Sequence, residues 1–246
     1  MKTRKILLSG LLTLGLSTFV VAQDNEGGFG IKGGIGFSTL SFGDIQNTDE
    51  FTLKNSDNSW KVGGLLGVSY EARIGNTFAL DFEALLTNKG VKREANYTIL
   101  GKDGKVTIKG NIFTVDVPIS AKIYLGDNFN FYAGPYVSYI WGANTKIEST
   151  YDGKSQSKDT KNSFGDDYKD SNGELPMNRF DFGANIGLEF VSDGGFGIGA
   201  RFQKGFMDLT NDDYNGAISE SDGLVFPADE KFVSNTGIQL YGIFRF

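Results

Sequence analysis

From Ile238 to Phe246 the chain alternates apolar and polar positions. Ile238, Leu240, Phe244 and Phe246 share one face with Gly242 among them, while Gly237, Gln239, Tyr241, Ile243 and Arg245 share the other. A period of two is the signature of a β-strand with one apolar face. Seven earlier segments repeat it, and their apolar faces can be written down. They are Phe29, Ile31, Ile35 and Phe37 in the first; Trp60, Val62, Leu66, Val68, Tyr70 and Ile74 in the second; Phe78, Leu80, Phe82, Ala84 and Leu86 in the third. The fourth has Phe113, Val115, Val117, Ile119, Ala121 and Ile123, and the fifth has Phe129, Phe131, Ala133, Val137, Tyr139 and Trp141. The sixth has Phe180, Phe182, Ala184, Ile186, Leu188 and Phe190, and the seventh has Phe196, Ile198, Ala200, Phe202 and Phe206. Each is long enough to cross a bilayer as a tilted strand of ~9–11 residues. A strand facing lipid cannot leave backbone groups unpaired, so the set predicts a closed ring.

The connections alternate in length. Gly75-Asn76, Gly126-Asp127-Asn128 and Ser192-Asp193-Gly194-Gly195 are tight turns, whereas 41–59, 87–112, 142–178 and 208–232 are long and polar. The expected fold is therefore all-β: an eight-stranded antiparallel transmembrane up-and-down β-barrel, with short periplasmic turns and long extracellular loops. Aromatic positions sort into two belts. Phe78, Phe129, Phe190, Phe196 and Phe246 fall near the short-turn end, and Trp60, Tyr139, Trp141, Phe180 and Phe206 near the other. Within 87–112, Val91–Leu100 and Lys105–Ile112 flank Gly101-Lys102-Asp103-Gly104, which reads as a protruding hairpin and its turn. The apolar parity changes near Gly90 and near Ile112-Phe113, which predicts a matched pair of bulges there. Pro118 and Pro135 fall inside predicted strands, where a closed barrel has no edge for a missing donor; they predict either bulges or different strand limits.

The N-terminus places this barrel. Lys2, Arg4 and Lys5 precede an apolar run from Ile6 to Val21, and small residues lead to Gln23. This is the pattern of a Sec signal peptide over 1–22, with the barrel domain over 23–246. The absence of Cys excludes a disulfide scaffold and a lipoprotein anchor. From Gln23 onward, 21 Lys and Arg stand against 30 Asp and Glu, a net charge of −9, which argues against a nucleic-acid partner. Gly at 34 and Phe at 21, with Pro at 4, suit many strands and tight turns.

The inward faces are rich in charge. By parity they carry Lys32, Lys61, Arg73, Lys122, Arg179 and Arg201 against Glu71, Asp81, Glu83, Asp116, Asp181 and Glu189. An eight-stranded barrel is just wide enough for side chains to fill it, so these charges are expected to pair into a plug. A selective ion path through them is the alternative. Asp81 and Glu83 share a face and so could be a hydrolytic carboxylate pair, but the chain has neither His nor Cys. Asn211-Asp212-Asp213-Tyr214-Asn215-Gly216 with Asp222 approximates a calcium-loop spacing, without Glu at the last position and without flanking helices; a solvated acidic loop reads it as well. Gly33-Gly34-Ile35-Gly36 lies inside a strand, so it marks close packing and not a phosphate loop. No catalytic residue, resident metal or cofactor is assigned.

Two resemblances add to this reading. The terminal strand, with Ile238, Leu240, Gly242, Phe244 and Phe246 on its outer face, resembles the C-terminal insertion signal of bacterial outer-membrane β-barrels, which the barrel-assembly machinery reads. Five segments together resemble the PorT-like outer-membrane barrels of Bacteroidetes: the Gly-Ile-Lys-Gly-Gly-Ile-Gly-Phe opening strand, Val115-Asp116-Val117-Pro118-Ile119 leading to Lys122, Phe131-Tyr132-Ala133-Gly134-Pro135-Tyr136, Arg179-Phe180-Asp181-Phe182-Gly183, and the Ala-Gln end of the signal. That resemblance implies an eight-stranded barrel in the outer membrane, in which both prolines are ordinary features, and it implies no single activity; some relatives serve protein secretion. The expected role is a closed structural or interaction barrel whose loops or wall meet partners, with outer-membrane lipid and other outer-membrane proteins as its expected surroundings. A narrow pore and a secretion component are the alternatives, and a soluble lipocalin-like carrier is a third.

Overall fold

The structure is a computed structural model that describes residues 27–41, 53–99, 102–151, 154–160, 177–209, 211 and 234–246. The signal segment 1–22, the Leu100-Gly101 link and all of the acidic loop after Asn211 lie outside them. Among the described residues there are ten strands: β1 (Gly28–Ser41), β2 (Leu53–Ser59), β3 (Lys61–Ile74), β4 (Phe78–Ile99), β5 (Lys102–Leu125), β6 (Phe129–Tyr151), β7 (Lys154–Thr160), β8 (Phe180–Val191), β9 (Phe196–Gly205) and β10 (Ser234–Arg245). Eight form an antiparallel ring in the order β1-β3-β4-β5-β6-β8-β9-β10, which β10 closes on β1 from Gly30↔Arg245 to Ser41↔Ser234. These eight are the eight alternating segments of the sequence. No helix among the described residues is long and apolar enough to cross a membrane.

The wall shows why alternation produced it. Ile31, Leu66, Val68, Phe82, Leu86, Ile119, Val137, Phe182, Ile186, Ile198 and Leu240 are exposed on the outside, while their strand neighbours turn inward. Backbone pairing closes around the ring, so the outer surface is apolar side chain and the polar backbone is satisfied. Both aromatic belts fall where alternation places them. Phe196 stacks on Phe244 at 4.5 Å, and Phe244 meets Phe246 at 5.9 Å, at the short-turn end. Tyr139 meets Phe180 at 5.2 Å, and Trp141 meets Phe113 at 5.5 Å, at the other end.

Three expectations change. First, β2 and β7 were not foreseen; they pair outside the ring with the upper parts of β4 and β6. With the long ends of β4, β5 and β6 they form a five-stranded sheet, β2-β4-β5-β6-β7, that continues the wall beyond the long-loop belt. The hairpin turn also moves. Ile99 pairs with Lys102 and Tyr97 with Gly104, so Lys102, Asp103 and Gly104 belong to β5 and not to a turn.

Second, the parity does not switch in β4 or β5. Their register runs unbroken from Leu85↔Asp116 to Ile99↔Lys102, and Val91 and Ile112 point inward like Glu83 and Asp116 below them. What inverts is the medium. Below the belt the outside is apolar and the inside polar; above it, Leu40, Val91, Ile112, Ile140, Ala143, Met177 and Leu209 form an internal apolar cluster while polar side chains face out. The β5–β6 ladder does shift register here, between Phe113↔Gly142 and Thr114↔Ile140, where Trp141 is the extra residue of a bulge.

Third, the prolines need neither bulges nor new strand limits. The β4–β5 register skips the Glu83/Pro118 and Ala84/Val117 positions, and the β5–β6 register skips Ile119/Pro135 and Ser120/Gly134. The ladder opens for the missing donors, and a side chain repairs it from inside: Asn185 Nδ2 donates to the Gly134 carbonyl at 2.9 Å while its Oδ1 accepts from Ser120 Oγ at 3.0 Å. The cost of an unpaired buried acceptor is thereby avoided.

Candidate functional site

The lumen holds the chemistry of this chain. At its lower end, β3, β4, β5, β8 and β10 converge on four carboxylates. Lys122 Nζ, fully buried, lies 2.9 Å from Glu71, 2.9 Å from Asp81 and 2.8 Å from Glu189. Lys32 Nζ, from β1, lies 3.1 Å from each of Asp81, Glu83 and Glu189. Arg201 from β9 pairs with Glu83 and donates from Nε to Tyr132 Oη at 3.2 Å. Arg245 lies 2.7 Å from Glu71 and 3.0 Å from Glu189, and Arg73 lies 3.2 Å from Glu71. Each carboxylate is shared by at least two cations, except where hydrogen bonds take over. Such sharing repays the desolvation that a single buried pair often does not.

Tyrosines stitch the cluster together. Tyr124 donates to Glu71 at 2.5 Å, Tyr241 to Glu189 at 3.1 Å, and the Tyr132 and Tyr241 hydroxyls lie 2.8 Å apart. Their rings also carry the cations: Arg73 stands 4.1 Å from the Tyr124 ring centre, Lys32 5.0 Å from Tyr241, and Arg201 5.3 Å from Tyr132 and 5.6 Å from Tyr241. The rings lie flat because glycines face them. Tyr132 pairs across strands with Gly187, Tyr136 with Gly183 and Tyr241 with Gly199, and a Cβ at any of the three would collide with the ring opposite.

A second node sits higher. Asp116, fully buried, is 2.7 Å from Lys89 Nζ and accepts from Thr114 at 2.8 Å, from Thr87 at 3.0 Å and from Ser138. Tyr136 donates to Asp181 at 3.0 Å, with Lys89 5.2 Å from its ring centre. Between the nodes, Gln239 Nε2 donates to Gln203 Oε1 at 2.9 Å. Above them the apolar cluster caps the bore. The voids left along the axis hold about one water each.

Of the twelve charges read inward from the sequence, ten lie in these nodes. Two cations do not. Arg179 sits at the upper rim, 3.5 Å from the Tyr139 hydroxyl, and Lys61 lies half-buried near Gly90, midway along β4. Their places are taken by Arg245 and Lys89, so six carboxylates still meet six cations. Arg245 has the inward parity of Tyr241 and Ile243 and was readable from it. Lys89 lies in the stretch that polarity assigned to a loop. The inward tyrosines and the glycines opposite them left no single-sequence signal of their joint role. Asp81 and Glu83 share a face, as their spacing requires, but both are committed to Lys32 in a buried site. No group of three potential metal ligands of the kind a metal ion needs occurs among the described residues; of the calcium-like loop, only Asn211 is described.

No curated protein matches the chain. Several solved structures are similar to it. They include Ail, the attachment invasion locus protein of Yersinia pestis, at 14% identity and TM-score 0.41 over 90% of this chain and 100% of that one. Neisserial surface protein A follows at 12% and 0.38, over 90% and 100%, and OprG from Pseudomonas aeruginosa at 14% and 0.37, over 89% and 96%. The profile of the outer membrane protein beta-barrel domain family matches residues 21–211. A closed antiparallel ring, an apolar outer wall and a charged interior give that match its physical ground, and the chain belongs to the outer membrane protein beta-barrel domain family.

Proposed function

We propose that this barrel is closed to solutes and serves as a structural or interaction protein of the outer membrane, with its loops or wall meeting partners. The observation that carries the reading is the filled lumen: two ion-paired nodes stacked along the axis under an apolar cap. Eight strands leave room for side chains and little else. The protein reconstituted in planar bilayers is expected to show no stepwise conductance. Reproducible wild-type channels whose ion selectivity shifts in Arg201→Ala would make it a narrow pore instead. The PorT-like resemblance of the strand motifs adds a finer alternative, a part in a Bacteroidetes secretion assembly, and stable co-purification with secretion components would support it.

In this reading 1–22 is a cleaved Sec signal, 23–246 is the barrel, the three tight turns are periplasmic, and the extended sheet stands outside the cell. Outer-membrane lipid surrounds the wall, and the barrel-assembly machinery inserts it through the terminal strand. Phe246 donates its N–H to Phe29 O at 3.0 Å, joining the last residue to the first strand of the ring. Protease on intact cells is expected to cut within 142–178 and to spare Gly126–Asn128; deleting Phe246 is expected to slow the appearance of that cut product. Cleavage at the turn alone inverts the topology, and unchanged kinetics remove Phe246 from the signal.

A further inference from the structure

The sheet that rises above the long-loop belt carries a row of lysines on its outer face. Lys92 of β4 pairs directly with Lys109 of β5, and Lys109 pairs directly with Lys146 of β6. Direct partners in an antiparallel sheet point to the same side, so three ammonium groups stand abreast on adjacent strands, with Ser59 and Asp159 at the two ends of the row by register. Like charges directly opposite one another destabilise a sheet. By register Asp159 stands next to Lys146 at one end of the row, and two further carboxylates meet the ammonium groups from outside it. Glu94 and Glu148 lie one row farther from the membrane, 2.7 Å from Lys92, 3.0 Å from Lys109 and 2.9 Å from Lys146. Hydrogen bonds from Lys105 first, and then from Lys92, hold the Glu94 carboxyl at about 2, so it stays charged at any physiological pH. Lys92, Lys109 and Lys146 thus share one level, the glutamates they meet stand one level above, and Lys105, which also meets Glu94, stands higher still.

The position of the row fits that order. Its face is continuous with the lipid-facing wall: Phe113 and Trp141 form the last belt of that wall, and Lys109 stands four residues beyond Phe113 on the same side of β5. At roughly 3.3 Å per residue this is about 13 Å along the strand, or about 10 Å in height at a strand tilt of ~40°, the level of lipid headgroups above an aromatic belt. The three side chains are about two-fifths exposed (40%, 39% and 44%), and a lysine stem can swing its ammonium toward the membrane while its root stays in the sheet.

We infer that the Lys92–Lys109–Lys146 row binds the phosphate groups of an outer-leaflet glycolipid headgroup and thereby fixes the height of the barrel in the membrane. The test uses the full folded chain in detergent, with retained lipid read by native mass spectrometry. The probes are phosphorylated lipid A and the same lipid after phosphatase treatment. The wild type is expected to retain the phosphorylated form preferentially, and Lys92→Gln/Lys109→Gln/Lys146→Gln to weaken retention by at least roughly tenfold. Lys105→Gln, two rows farther out, is expected to leave it unchanged. Heat-modifiable migration on gels reports that each variant is folded; where the triple variant is not, Lys109→Gln alone, at the centre of the row, is expected to weaken retention several-fold. Equal retention of both lipids, an unchanged Lys-to-Gln variant, or an equal loss in Lys105→Gln overturns the assignment. Displacement of the lipid by millimolar inorganic phosphate overturns the lipid as ligand and leaves a free-anion site.

Discussion

Glu189→Ala is expected to be among the most destabilising single substitutions in this protein, at about 3–5 kcal/mol, because it leaves buried cations without their counter-ion. Glu189 meets Lys32 at 3.1 Å, Lys122 at 2.8 Å and Arg245 at 3.0 Å, and it accepts the Tyr241 hydroxyl. Lys32 and Lys122 retain other carboxylates, but each of those is already shared, and the node goes from five cations against four carboxylates to five against three in a confined volume. Arg201→Ala leaves Glu83 with Lys32 alone and should cost less. The measurement is denaturant unfolding in detergent or lipid, followed by heat-modifiable migration. A loss for Glu189→Ala no larger than that of an exposed pair, such as Lys109–Glu148 on the outer sheet, would show the lumen to be hydrated and the charges screened. Restoring balance by adding Lys122→Met to Glu189→Ala is expected to recover part of the loss, since the two sites are in contact and couple.

How much of this was readable from the sequence follows from what each residue faces. The eight wall strands were legible because lipid on one side and a polar lumen on the other impose opposite chemistry on alternate positions, as at Phe182, Ala184 and Ile186 against Asp181, Gly183 and Asn185. β2 and β7 were not, because their sequences are almost wholly polar and offer no apolar face to read. Leu-Lys-Asn-Ser-Asp-Asn-Ser and Lys-Ser-Gln-Ser-Lys-Asp-Thr show no alternation, and they become strands by pairing with the long ends of β4 and β6. Propensity is weak where tertiary pairing decides.

The apparent parity switch near Gly90 and Ile112 failed for a related reason. Alternation reports which side is apolar, and that was taken to be the outside throughout. Above the belt the inside becomes apolar around Leu40 and Ile140, so Val91 and Ile112 kept their direction while the surroundings changed. The same assumption hid Lys89, which parity alone sets beside Asp116. The lumen charges were legible as a set, since a charge on the inward face of so small a barrel has nowhere else to go. Which carboxylate meets which cation was not legible, because partners such as Lys32 and Glu189 are far apart in the chain and their meeting depends on the stagger of the strands around the ring.

That stagger is held partly by the tyrosines laid over glycines, and here the other large effect is expected. Gly199→Val should destabilise the barrel by about 2–4 kcal/mol, combining overpacking with the loss of two buried hydrogen bonds. Gly199 pairs with Tyr241, and a Cβ built there falls inside the ring. The ring must then lift, and its hydroxyl must leave Tyr132 and Glu189, to which it is joined at 2.8 Å and 3.1 Å. A glycine in a strand interior is by itself unfavourable, so a smaller residue was not put there to suit the strand. Removing the obstacle separates the two explanations. In a Tyr241→Ala background, where the two bonds are already lost, Gly199→Val is expected to cost little further and to gain from the added side chain. If Gly199→Val is as costly there as in the wild type, the glycine answers to backbone geometry and not to the ring. If it is harmless in both, Tyr241 has another place to go and the lumen is looser than its ion pairs suggest.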